Sequence, residues 1–390
     1  MGGRVKIGLV PFDVIPAKAG IQWFHGAANT LDPGFHRGDE YSLIFSQLQG
    51  MRGRGLLRKF QICWGRILLV SFLLLSVGVS PADAVETTLK KASFIPLWSP
   101  QAQFAGYYVA YEKGFYKKNG IDMTILQGGP DRPSSQFLIQ GKADFATLWL
   151  STALRLAAEG QDIINIGQMV QRSALMLVAK KSSNIRTPQD MNGKKVNLWG
   201  EDFQIQPKAF FKRYNLKVRI ITQSLSVNLF LRDGVDVASA MWYNEYHTII
   251  NSGFNPDELT TFLFYEHGLN FPEDGIYTLK KTFKKDPSLA SAFVRSSIAG
   301  WDYAFSHPEE ALDILLKYIS QARIPANRVH QKWMLSRMKD LIVPPDGSLI
   351  GILRPRDYER VDYELKENDW VKRTPGYYSF FVRCDKDVEK

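Results

Sequence analysis

From Glu86 onward the chain alternates short, β-branched apolar runs with helical runs closed by glycine, and few architectures satisfy that rhythm. Leu89–Leu97 is predicted as a strand, Gln101–Asn119 as a helix ending at Gly120, and Ile121–Leu126 as a strand that stops at Gly128-Gly129-Pro130. Ser134–Gln140 is a short helix ended by Gly141, Ala143–Trp149 a strand, and Thr152–Glu159 a helix ended by Gly160. Glycine takes up the left-handed conformation that terminates a helix, so its recurrence after each helical run fixes the element boundaries. Strands that alternate with helices predict parallel βαβ units, and therefore an α/β fold.

The same pattern returns further along. Lys194–Trp199 and Val218–Thr222 are predicted as strands, with Gln206–Tyr214 and Val227–Leu231 as helices. GKADFATLW (141–149) closes the first cycle and DGVDVASAMW (233–242) the second. Both read Gly-x-(Ala/Val)-Asp, then an apolar strand that ends in Trp. Two such units predict two lobes, and open α/β sheets bind ligands at the carboxyl ends of their strands. Both Trp-ended strands are accordingly expected to face one cleft. Asp286–Ser320 is mostly helical, with a fresh helix starting at His307-Pro308, and is expected to pack back on the first lobe.

The N-terminus stands apart. Arg52, Arg54, Arg58, Lys59 and Arg66 precede an apolar run from Ile67 to Val79, shorter than the ~20 residues that span a bilayer; Ala82-Asp83-Ala84 then offers a small-x-small site. Residues 51–84 therefore read as a signal peptide cleaved after Ala84. An uncleaved anchor is the alternative. VIPAKAGIQ (14–22) and LDPGFHRGDE (31–40) resemble translated copies of a dispersed bacterial intergenic repeat. Residues 1–50 are thus expected to be a mis-called or disordered extension, with Met51 as the start.

Charge and cysteine content narrow the function. The chain carries a formal net charge of +10; from Val85 onward, 40 basic residues face 34 acidic ones. No Lys/Arg cluster is interleaved with aromatics, so nucleic acid is not an expected partner. Only Cys63 and Cys384 are present, and cleavage would remove the first. No disulfide and no thiolate metal cluster are expected. No phosphate-cradling loop or nucleophile elbow occurs, and no metal or other cofactor is expected.

Five segments carry a family resemblance: WSPQAQFAGYYVAYEKGFYKKNGID (98–122), GKADFA (141–146), TPQDMNGKKV (187–196), WYNEYH (242–247) and NFPEDGIY (270–277). In this order the run from Trp98 to about Trp370 resembles the NMT1/THI5-like periplasmic binding proteins of the thiamine-pyrimidine and sulfonate type. The resemblance implies a type II periplasmic-binding-protein fold, two α/β lobes joined by two hinge crossings. It places lobe 1 in residues 85–177, lobe 2 in 178–272, and a return to lobe 1 with a C-terminal helical block in 273–390. It also implies a monomer in the periplasm that delivers a small molecule, an aminopyrimidine-like thiamine precursor, to an ABC permease in the inner membrane. Riboflavin and sulfonate or nitrate binders are relatives.

The same family contains the thiamine pyrimidine synthase, which consumes pyridoxal phosphate and one of its own histidines with iron. Its Lys and His correspond here to Leu148 and Thr152, and NFPEDG (270–275), where its iron motif falls, contains no Cys. A binding protein, not an enzyme, is therefore expected.

The candidate ligand-binding residues are Trp98, Tyr107, Trp149, Trp199, Trp242, Tyr243, Glu245 and Asp274. Trp98 follows the first strand and Tyr107 lies early in the next helix. Trp149 and Trp199 end strands; each of these four positions equally suits a core aromatic. In WYNEYH, Trp242 and Tyr243 offer flat faces, and Glu245 a carboxylate able to accept from an exocyclic amine. Asp274, beside Glu273 after Pro272, is expected to meet the ligand or make a hinge hydrogen bond. His247 and His267 lack a ligand-spaced partner in the sequence. Arg172 with Ser173 could hold an anion, although surface is the commoner place for such a residue.

Overall fold

The computed structural model describes residues 88–385; the expected signal segment and the upstream extension lie outside them. Two five-stranded sheets organise this part of the chain. The first contains β1 (Lys90–Ile95), β2 (Ile121–Ile125), β3 (Phe145–Leu148), β4 (Ile163–Val170) and β10 (Glu273–Leu279), in the order β2-β1-β3-β10-β4. The second contains β5 (Leu175–Lys180), β6 (Lys195–Leu198), β7 (Arg219–Thr222), β8 (Val237–Met241) and β9 (Leu259–Leu263), in the order β7-β6-β8-β5-β9. The chain passes from the first sheet to the second between β4 and β5, and returns between β9 and β10.

The expected βαβ units are present: β1 pairs in parallel with β2 and β3, and β6 with β7 and β8. The sheets are nonetheless mixed. β10 is antiparallel to β3 and β4, and β5 to β8 and β9. These antiparallel strands flank the crossings, where the chain enters one sheet from the other.

Local expectations hold closely where glycine punctuates the sequence. Gly120, Gly141 and Gly160 all have left-handed φ. The expected helix over 101–119 is interrupted: Ala105–Glu112 and Phe115–Lys118 are separate helices, because Gly114 takes φ +70° between them.

The long helix Pro287–Ser306 lies against helix Ala105–Glu112. Its ring of contacts explains the aromatic richness of both. Phe293 stacks on Phe145 at 4.3 Å and on Tyr116 at 5.5 Å, and Tyr107 meets Phe94 at 4.5 Å and Trp301 at 5.9 Å. The two helices approach through glycine. A Cβ on Gly300 would lie 2.1 Å from the Gly106 carbonyl oxygen, and one on Gly106 would lie 2.3 Å from the Trp301 ring. Helix Arg328–Ile342 is fastened to the loop after β1, with the Ala102 amide donating to Gln331 Oε1 at 2.7 Å. The C-terminal residues return to β4, where the Val382 amide donates to the Asn165 carbonyl at 2.9 Å.

Candidate functional site

A cavity of about 370 Å³ opens between the strand ends of the two sheets and the helix Arg328–Ile342. That volume is in the range of small-molecule sites. Trp98 and Gln103 come from the loop after β1, Trp149 from the end of β3, and Trp199 from the end of β6. Met241 ends β8, Tyr243 and Glu245 follow it, and Ile324, His330 and Gln331 close the remaining side. The strand ends put these side chains there for the reason anticipated: the backbone stops pairing, and the next side chain projects over the sheet edge.

Aromatic rings make up much of the wall. Trp149 and Phe203 meet edge to face at 4.7 Å, and Trp199 meets Phe203 at 6.1 Å. The Trp199 indole N–H donates to the Ser224 carbonyl at 3.2 Å, whereas the buried Trp149 Nε1 has no partner. The Leu97 amide donates to Thr147 Oγ1 at 2.7 Å, which ties the Trp98 loop to β3.

Three carboxylates, Glu245, Asp274 and Glu273, lie in and behind the cavity. Glu245 begins helix Glu245–Asn251; its Oε2 accepts from the Met241 amide at 3.0 Å and its Oε1 from Asn244 Nδ2 at 2.8 Å. Behind the lining, Gln103 Nε2 donates to Asp274 Oδ2 at 2.6 Å. Asp274 Oδ1 and Glu273 Oε2 are buried without partners. Burial raises Glu245 and Asp274 to about 7 each. Burial and the neighbouring Asp274 raise Glu273 to about 8. Burial first, then these three carboxylates, hold the Tyr243 hydroxyl well above its ordinary value. Among the described residues lining the cavity none is Lys or Arg. Anionic ligands normally demand such a group.

Glu273 has a separate position, in the crossings. Its Oε1 accepts from Ser173 Oγ and the Ala174 amide, each at 2.8 Å. The Ser173 amide in turn donates to Asn270 Oδ1 at 2.9 Å. One carboxylate oxygen from the returning crossing thus satisfies donors on the outgoing one. Arg172, weighed as an anion anchor, instead donates to the Asp340 carbonyl at 3.0 Å and lies over the Tyr265 ring at 4.8 Å.

The structure brings Trp98, Trp149, Trp199, Tyr243 and Glu245 together around the cavity and places three other candidates elsewhere. Tyr107 is buried in the first core between Phe94 and Trp301, because its helix turns that face toward Pro287–Ser306. Trp242, expected to face the cleft as the counterpart of Trp149, lies instead beneath Arg337 at 4.8 Å and Arg172 at 5.9 Å. The side chains on either side of it, Met241 and Tyr243, reach the cavity; successive side chains along a strand point to opposite faces. Asp274 stands one residue behind the wall, reached through Gln103. The cavity also recruits Gln103, Phe203, Asn244, His330 and Gln331, which sequence reasoning missed. Gln103 and Asn244 lie inside the quoted motifs; Phe203, His330 and Gln331 lie outside them and give no local signal.

Comparison with known proteins agrees with this architecture. The NMT1/THI5-like family matches residues 101–311. The chain belongs to that family. A riboflavin-binding protein of Chloroflexus aurantiacus is 25% identical over 63% of this chain and 71% of its own length. A formylaminopyrimidine-binding protein of Halalkalibacterium halodurans is 19% identical over 78% of this chain and 94% of its own. Relatives also include a 4-amino-5-hydroxymethyl-2-methylpyrimidine phosphate synthase of Legionella pneumophila, 25% identical over 62% of this chain and 78% of its own. In fold, the chain matches the periplasmic aliphatic sulphonate-binding protein of Escherichia coli with a TM-score of 0.58 at 14% identity, over 75% of this chain and 97% of that one. The NMT1/THI5-like chain therefore has the type II periplasmic-binding-protein fold.

Proposed function

We propose that this NMT1/THI5-like protein is the solute-binding component of an ABC importer and takes a flat heterocycle bearing an amine, of the aminopyrimidine kind. The observation that carries the reading is a cavity walled by Trp98, Trp149 and Trp199 that presents a carboxylate, Glu245, and no cationic side chain among its described lining. A ring can stack on indole while its exocyclic amine donates to Glu245. A sulfonate would face carboxylates with no counter-charge, which low dielectric makes costly. A riboflavin-type ligand would use the aromatic walls but need not use Glu245. Delivery to a permease and export to the periplasm, with cleavage after Ala84, belong to the same proposal and rest on the family resemblance.

A synthase reading is weaker. Leu148 is fully buried at the end of β3, and Leu148 and Thr152 supply neither an amine nor an imidazole where that chemistry needs them. Thermal unfolding in the presence of an aminopyrimidine, riboflavin and an alkanesulfonate tests the proposal. The aminopyrimidine is expected to stabilise the protein by about 2.7 kcal/mol at 100 times its Kd. Stabilisation by the sulfonate alone would refute the ligand class.

The acidic site also gives the binding a pH dependence. Glu245 accepts from an amine most strongly when ionised, and burial raises its pKa to about 7 before ligand enters. Protons therefore compete with the ligand: affinity is expected to be full well above pH 7 and to fall up to tenfold per unit below it. Calorimetric titrations with the aminopyrimidine across pH 6 to 8.5 check this; a flat profile would remove the carboxylate from the contact.

A further inference from the structure

At the edge of the cavity, where Asn244 and His330 are part of the lining, a second set of contacts joins helix Glu245–Asn251, which follows β8 of the second sheet, to helix Arg328–Ile342, which is fastened to the first. His247 Nδ1 and His330 Nδ1 lie 2.9 Å apart. The His330 Nε2 meets Asn244 Oδ1 at 2.8 Å, and Asn251 Nδ2 lies 3.2 Å from His247 Nδ1. The His247 ring stacks on Trp333 at 4.7 Å with 10° between planes. Arg337 lies over both Trp333 and Trp242, and the Trp333 indole N–H donates to the Trp242 carbonyl at 3.4 Å. His247 is buried, 7% exposed. Together these contacts join the helix after β8 of the second sheet to the helix fastened to the first.

We propose that the His247–His330 pair is a proton-sensitive latch that holds the two lobes together, and that acid releases it. Two facing imidazole nitrogens at this separation need one proton between them and have no place for a second. The pair can therefore be neutral or singly charged, but a doubly protonated pair sets two N–H groups against each other.

The surroundings do not relieve that charge. On helix Glu245–Asn251 the nearest carboxylate, Glu245, accepts from Met241 and Asn244. On the other helix Arg328 and Lys332 are paired with Glu309, Arg328 also with Asp313, and Arg337, beside Trp333, is paired with Asp340 at 3.2 Å. Arg172 lies over Trp242. Burial lowers His247; burial and then the charge of His247 lower His330. Depressed values in the latched state mean that latching is favoured at neutral pH and weakens as pH falls below about 6.5, the ordinary histidine value.

The latch is tested on the ligand-free full chain, so its outcome does not depend on which ligand the cleft takes. Small-angle scattering from pH 7.5 to 5 is expected to show an increase in radius of gyration in the parent protein. Histidine side-chain NMR should show His247 and His330 titrating over the same interval. In His247→Asn/His330→Asn the facing groups cannot charge, and the pH-dependent expansion should be lost. His247→Asn alone, with circular dichroism as the control for folding, covers the case in which the double variant fails to fold, and should likewise lose the expansion. A parent whose dimensions stay constant across the interval would overturn the proposal, as would folded variants that expand like the parent.

Discussion

Glu245→Gln is expected to weaken binding of an aminopyrimidine by about ten- to a hundredfold. The substitution keeps the size of the side chain but replaces a charged acceptor with a neutral amide. A hydrogen bond to a charged group contributes about 1.5–3 kcal/mol, and each 1.4 kcal/mol is about tenfold in Kd. The amide has a further difficulty. Oε1 and Oε2 both accept in the parent, from Asn244 and the Met241 amide, so the Gln NH₂ must displace one of those donors or confront the ligand's own amine. Trp149→Ala serves as the comparison, since it removes a stacking wall that any flat ligand would use. Loss in both variants supports a ring carrying an amine. Loss at Trp149 alone points to a ligand of the riboflavin type, which stacks without using the carboxylate. Calorimetry on both variants, with circular dichroism to confirm folding, separates the outcomes; unchanged affinity in Glu245→Gln for every ligand that binds the parent takes Glu245 out of the site.

Gly300→Ala is expected to destabilise the fold by about 3 kcal/mol, the upper end for overpacking a well-filled core. The added methyl would stand 2.1 Å from the Gly106 carbonyl oxygen and 2.7 Å from the Ala110 Cβ. Most of that obstruction is backbone and cannot rotate away, so helix Pro287–Ser306 must move off helix Ala105–Glu112. Such a shift also disturbs Trp301 and Phe293, which organise the first core. Gly376→Ala is the control: its φ of −69° suits any residue, and nothing lies within 4 Å of the added methyl. The denaturation midpoint should fall sharply for Gly300→Ala and remain close to the parent for Gly376→Ala, with the slope unchanged in both if only stability is affected. A Gly300→Ala protein as stable as the parent would mean that the two helices are not held at this separation.

The cleft and its fastening also differ in what they demand of the chain. A ligand site needs side chains at strand ends, and Trp149 and Trp199 follow β3 and β6 and line the cavity. The crossings need a shared acceptor, and Glu273 meets that need by accepting from Ser173 and Ala174 about a hundred residues earlier. The adjacent carboxylates Glu273 and Asp274 are conspicuous in the sequence. Their division of labour, one at the crossings and one behind Gln103, is visible only in three dimensions.

The sequence by itself determined β1, β2, β3, β6, β7 and β8 and their order, whereas β4, β5, β9 and β10, the strands beside the crossings, carried no signal that was read from it. Periodicity of apolar residues and glycine at helix ends are local properties, and they placed the α/β alternation, the helical C-terminal block and the Trp residues that close β3 and β6. Tertiary structure decided everything that depends on which face turns inward. Trp149 and Trp242 end similar strands, yet only the first lines the cavity, because Arg172 and Arg337 cover the second. Tyr107 could have faced the cleft until the packing of Pro287–Ser306 claimed it. His247 and His330 meet across 83 residues of chain, and no local spacing encodes that pairing. Strand and helix formation are governed by neighbours a few residues apart, whereas the direction of a side chain and its long-range partner are fixed only when the elements pack.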